Sequence, residues 1–94
     1  MTVRVLLPGG LADLAGGARS VAVDAAAGTT LAELLARLAA SYPLLGHRLC
    51  DETGQLRRFV NVYVDGLDVR GEQGLRTAVG DGATVQVLPS IAGG

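Results

Sequence analysis

Ninety-four residues make one domain, enough for a single modest core and too few for two. The chain is 49% hydrophobic, chiefly as Ala, Leu and Val with Tyr42, Phe59 and Tyr63 as the aromatics, which leaves little bulk to enclose a ligand pocket. A formal net charge of -1, with acids and bases interspersed, offers no basic field for nucleic acid or an anionic membrane.

The first strand is predicted where Val3, Val5 and Leu7 alternate with Arg4 and Leu6, and Pro8-Gly9-Gly10 turns the chain out of it. A second strand is expected over 19–24, where Val21 and Val23 alternate with Ser20 and Ala22. The 11–18 connection, with Gly16 and Gly17, makes the two a hairpin whose turn is longer than the two-residue kind. Thr30-Leu31-Ala32-Glu33 has capping-box spacing, so a helix should start there, with Leu31, Leu34, Leu35 and Leu38 forming one apolar stripe. Ser41-Tyr42-Pro43 ends it, because Pro43 cannot continue the ladder and pushes Tyr42 out of the α region.

The 44–57 segment is the least regular. Leu44, Leu45 and Leu49 suggest one short helical turn, and Asp51-Glu52-Thr53-Gly54 reads as a turn. The strongest strand signal follows: Val60, Val62 and Val64 share one face, Asp65-Gly66 is the type I′ hairpin dipeptide, and 67–70 is a short returning strand. The 71–81 connection carries a helical turn at 75–79 and leads into a last strand over 84–89, with Pro89 where the strand leaves the sheet. The order β-β-α-β-β-β is that of an α+β fold of the β-grasp (ubiquitin-like) type, a mixed sheet of about five strands with one main helix across it. We expect a domain over 1–89 and a flexible tail over 90–94 ending in Gly-Gly.

No internal constellation for catalysis stands out. His47 and Cys50 lie three apart and would share a helical face, but no third orienting residue accompanies them. Metal binding by His47, Cys50 and Asp51 has no recognised ligand spacing behind it, and the adjacent carboxylates of Asp51-Glu52 suit a solvated turn. Gly9-Gly10 and Gly16-Gly17 lack the strand-loop-helix context and Lys-Ser/Thr ending of a phosphate loop. Cys50 is the single cysteine, so an internal disulfide is excluded, and all eight basic residues are arginine. No apolar run approaches the roughly 20 residues that span a bilayer, and no leader-like start is present; a cytoplasmic protein without a membrane partner is expected.

The reactive group is then expected at Gly93-Gly94, whose lack of side chains lets the backbone enter a slot that excludes larger residues. A carboxylate resists nucleophiles until one oxygen becomes a good leaving group, which adenylation by ATP achieves. A sulfur donor would convert the acyl-adenylate to a thiocarboxylate; an amine would give an isopeptide-type bond. Extended by at most about 3.3–3.6 Å per residue, the segment after Leu88 can carry that group into a neighbouring protein's pocket.

The order of elements, the Val-Gly-Asp-Gly-Ala-Thr-Val-Gln-Val-Leu-Pro run at 79–89 and the ending Ile91-Ala92-Gly93-Gly94 resemble the MoaD/ThiS family of ubiquitin-like sulfur carriers over essentially the whole domain. Within it, Phe59-Val60-Asn61-Val62-Tyr63-Val64-Asp65-Gly66 followed by Asp68-Val69-Arg70 is similar to the carrier of an actinobacterial cysteine-synthesis pathway. The resemblance implies that the chain is no enzyme and binds no cofactor itself. An adenylating enzyme of the ubiquitin-activating type would use ATP to activate Gly94, the sulfur-bearing residue, with Gly93, Ala92 and Ile91 as its tail. In the cysteine pathway a pyridoxal-phosphate enzyme resembling cysteine synthase would accept the sulfur, and a zinc metalloprotease would release the cysteine. The alternatives are the small subunit of molybdopterin synthase, whose tail commonly carries a second proline where this chain has Ser90, a carrier for a thiolated metabolite, and, in another class, a ubiquitin-like protein modifier or a plain binding module. A modifier without lysine cannot build chains through its own side-chain amines. Partner docking is expected at exposed apolar or arginine positions near the tail: Leu88, Ile91, Phe59, Arg58 and Arg70.

Overall fold

Alternating valines set the sheet. In the computed structural model, which describes residues 1–89, strands β1 (Thr2–Leu6), β2 (Ser20–Asp24), β3 (Val60–Val64), β4 (Leu67–Asp68) and β5 (Thr84–Pro89) join in the order β2-β1-β5-β3-β4. Val3 and Val5, Val60, Val62 and Val64, and Val85 and Val87 are buried, each on one face of its strand, as the period of two requires. β5 lies in the middle, parallel to β1 and antiparallel to β3, so the sheet is mixed. The expected β-grasp architecture is therefore the observed one.

Three helices pack with it: α1 (Gly9–Ala12), α2 (Leu31–Ser41) and α3 (Pro43–Leu49). The start of α2 forms as the spacing predicts. The Glu33 N–H donates to Thr30 Oγ1 at 3.3 Å and the Thr30 N–H donates to Glu33 Oε1 at 3.3 Å, satisfying two donors that a bare helix end would leave open. Leu31, Leu34, Leu35 and Leu38 are all buried and share one core cluster with the valines of the sheet.

The departures from expectation have local causes. The connection between β1 and β2 is not a plain loop: α1 runs into a 3₁₀ turn at Asp13–Ala15, burying Ala12 and Ala15, before Gly16 at φ 65° and Gly17 at φ 85° reverse the chain. The predicted single turn near Leu44 is a seven-residue helix, because Pro43 both stops α2 and supplies a preset φ for the first turn of α3. Leu45 and Leu49, four apart, are buried, whereas Leu44 is 67% exposed and stands outside the core cluster. The return strand is shorter than 67–70: Asp68 accepts the Arg70 N–H at 2.9 Å and bends the chain into a 3₁₀ turn at Val69–Gly71. A further 3₁₀ turn at Gly74–Arg76 overlaps the helical turn expected at 75–79. The β3–β4 hairpin turns through Asp65 at φ 49° and Gly66 at φ 86°, the positive pair that a type I′ turn needs.

Candidate functional site

β5, the central strand, ends at Pro89. Its outward residues include Leu88, 36% exposed, while Val85 and Val87 anchor its inward side without exposure. The two flanking strands fix it by backbone pairing, Val5 with Val85 on one side and Asn61 with Leu88 and Val60 with Pro89 on the other. The C-terminal segment is thus rooted in the best-supported strand of the molecule. Ile91, Ala92, Gly93 and Gly94 lie outside the described residues.

Around that root stand the other predicted docking residues. Arg57, Arg58, Phe59 and Val60 make a tight turn in which the Val60 N–H donates to the Arg57 carbonyl at 3.0 Å. The turn holds Arg58 and Phe59 outward, Phe59 with 57% of its surface exposed although it is the chain's single phenylalanine. An exposed aromatic beside a strand exit is the anchor type that partner surfaces favour. Arg70 reaches the same place but has partners within the molecule: Nη1 donates to Asn61 Oδ1 at 2.8 Å and Nη2 to the Arg57 carbonyl at 3.1 Å. On the other side of the root, Pro8, Gly10, Leu11, Leu14 and Arg48 line a shallow depression with Pro89.

Sequence reasoning missed the roles of Arg57 and Asn61, whose partners lie far along the chain. The one signal was a lone polar residue inside the Val60 to Val64 run. It also missed the depression, since α1 was read as loop.

The candidates for internal chemistry are arranged otherwise. Burial, together with the neighbouring Asp51 charge, pushes the Cys50 thiol above its ordinary value, the wrong direction for a nucleophilic thiolate. His47 lies in α3, where its backbone carbonyl accepts from Arg57 Nε at 2.6 Å. Asp51 is engaged in its own turn, accepting from the N–H groups of Thr53 at 2.9 Å and Gln55 at 3.2 Å. Among the described residues no group of three or more His, Cys, Asp or Glu is placed to hold a metal ion, and no helix is long and apolar enough to cross a membrane.

Known proteins share this fold. The model of the ThiS family matches residues 5–94. The sulfur carrier protein CysO of Mycobacterium tuberculosis is 44% identical over 96 residues that span 100% of both chains, and its crystal structure superposes with a TM-score of 0.82 over 95% of this chain and 99% of that one. A chain of the Amycolatopsis orientalis BexX/CysO complex is 38% identical with a TM-score of 0.83, covering 98% of this chain and 99% of its own. SAMP1 of Haloferax volcanii is 28% identical with a TM-score of 0.85 over the whole of both chains.

Proposed function

The chain belongs to the ThiS family, and from that premise we propose that it is a sulfur carrier whose Gly94 carboxylate becomes a thiocarboxylate. The observation that carries this reading is the 44% identity, over full length, to a sulfur carrier protein. The fold supports it: a rigid sheet presents the root of the C-terminal segment beside an exposed aromatic, and Arg57, Arg70 and Asn61 nearby are tied up in structure.

A Gly94 carboxylate oxygen attacks the α-phosphorus of ATP in an adenylating enzyme of the ubiquitin-activating type, and pyrophosphate leaves. A sulfur nucleophile then attacks the acyl carbon, and AMP departs with that oxygen. One oxygen is thereby exchanged for sulfur, and the ionised thiocarboxylate is the nucleophile delivered to the acceptor. We assign the acceptor to cysteine biosynthesis: a pyridoxal-phosphate enzyme resembling cysteine synthase, with a zinc metalloprotease to free the product. The complex of a CysO chain with BexX supports a surface that docks a partner, and Phe59, Leu88 and Arg58 are its proposed contacts, followed by Ile91 of the tail.

Incubation with ATP, an adenylating enzyme and sulfide should shift the intact mass by the exchange of one oxygen for sulfur. Gly94→Ala should slow loading by about a hundredfold, because a small misplacement of a reacting atom costs that much. Loading of Gly94→Ala at the wild-type rate would count against Gly94 as the reacting residue. The likeness to SAMP1, a small archaeal modifier protein, favours a second reading in which an amine takes the place of the sulfur donor. A covalent adduct with a lysine-bearing protein, in place of the sulfur exchange, would select it.

A further inference from the structure

The Arg57–Val60 turn is held from two sides. Behind it, the Arg57 N–H donates to the Leu49 carbonyl at 2.9 Å and Arg57 Nε to the His47 carbonyl at 2.6 Å, using carbonyls at the end of α3 that the helix itself leaves open. In front, the Arg57 carbonyl that closes the turn also receives Arg70 Nη2, while Arg70 Nη1 reaches Asn61 on β3. Asn61 pairs across the sheet with Leu88. One guanidinium therefore joins the turn carrying Phe59 to the strand pair carrying Leu88. The Asp68 carboxylate seats the backbone of Arg70 through its N–H. Phe59, mostly exposed, has little packing of its own to fix it.

We propose that Arg70 is a positioning residue: its forked guanidinium sets the Arg58–Phe59 turn against the root of the C-terminal segment, so that a partner receiving that segment meets Phe59 and Leu88 already arranged. Arg70 acts through the turn and does not touch the partner. The physical basis is preorganisation, since a surface ordered before binding spares the complex the cost of ordering it. The planar fork holds its two donors in one fixed geometry that spans both acceptors, whereas an ammonium is a compact charge on a flexible stem. The proposal rests on the sulfur-carrier reading for its functional consequence and on geometry alone for the clamp.

The test compares Arg70→Ala, Arg70→Lys, Phe59→Ala and the Arg70→Ala/Phe59→Ala double variant as substrates of the adenylating enzyme. Arg70→Ala and Phe59→Ala should each raise KM by about fivefold to tenfold with kcat within about twofold of wild type. The double variant should be no worse than Phe59→Ala alone to within about twofold, because a clamp with no ring to hold contributes nothing further. Arg70→Lys should remain impaired. Losses that multiply in the double variant, or a wild-type KM for Arg70→Lys, would show a direct charge contact and overturn the proposal. Amide exchange gives a readout without any enzyme: Arg70→Ala should speed exchange at the Val60 N–H by about tenfold while α2 keeps its protection. Unchanged exchange at Val60 overturns the clamp. If no adenylating enzyme converts the wild-type chain, the carrier reading fails by itself and the exchange result still decides the clamp.

Discussion

Asp51 accepts a hydrogen bond from the Thr53 hydroxyl, the largest influence, and from the Thr53 and Gln55 amides, with the Arg57 charge nearby; together these hold its carboxyl below the ordinary value. A folded-state value below the unfolded one stabilises the protein at neutral pH, and that contribution is lost as pH falls through the folded value. Asp51→Asn should therefore lower the thermal midpoint at neutral pH, and the gap from wild type should close as the solution is acidified; a gap independent of pH would refute the assignment. Cys50 moves the other way, chiefly because burial disfavours its charged form, so its thiol has little of the thiolate character that a nucleophile needs. At this scale the sequence was legible where interactions are local. The Thr30 and Glu33 cap spans three positions, whereas Arg70 meets Asn61 and Arg57 across nine and thirteen, and no spacing rule announces such partners.

Strands and the main helix were legible because periodicity reports burial directly, as Val60, Val62 and Val64 and the leucines of α2 show. The short helices were not. α1 and α3 have too few turns to establish a period, and their apolar residues gain burial from tertiary packing that a window of sequence does not contain. The approach of α3 to α2 is the clearest case. A Cβ on Gly46 would stand 2.5 Å from the Ala39 Cβ and 3.2 Å from its Cα, so the two helices touch where glycine permits it. Alanine is favoured over glycine in a helix by about 1 kcal/mol, but forcing packed elements apart costs about 1–3 kcal/mol. Gly46→Ala should therefore destabilise by about 1 kcal/mol in urea unfolding, because the steric cost exceeds the gain in helix propensity. A stabilised variant would mean that the helices separate freely.

Across the whole molecule, the central strand is also the one that leads to Pro89, so the segment beyond it springs from the most constrained part of the sheet. The β-grasp order and its mixed sheet were readable from the sequence because each strand carried its own signal; which strands pair and in what register, with β5 between β1 and β3, comes from contacts distant in the chain. The proposed site is read from the sequence as a terminal motif, while the surroundings of its root, the clamped turn on one side and the α1 depression on the other, required the fold. In the carrier reading the sulfur goes to a terminal carboxylate and none goes to the only thiol. Fragment mass spectrometry of the chain after loading with ATP, adenylating enzyme and sulfide separates these directly. We predict one oxygen exchanged for sulfur on the fragment that ends at Gly94 and an unmodified Cys50; a Gly94 fragment that keeps both carboxylate oxygens after ATP has been consumed would contradict the carrier reading.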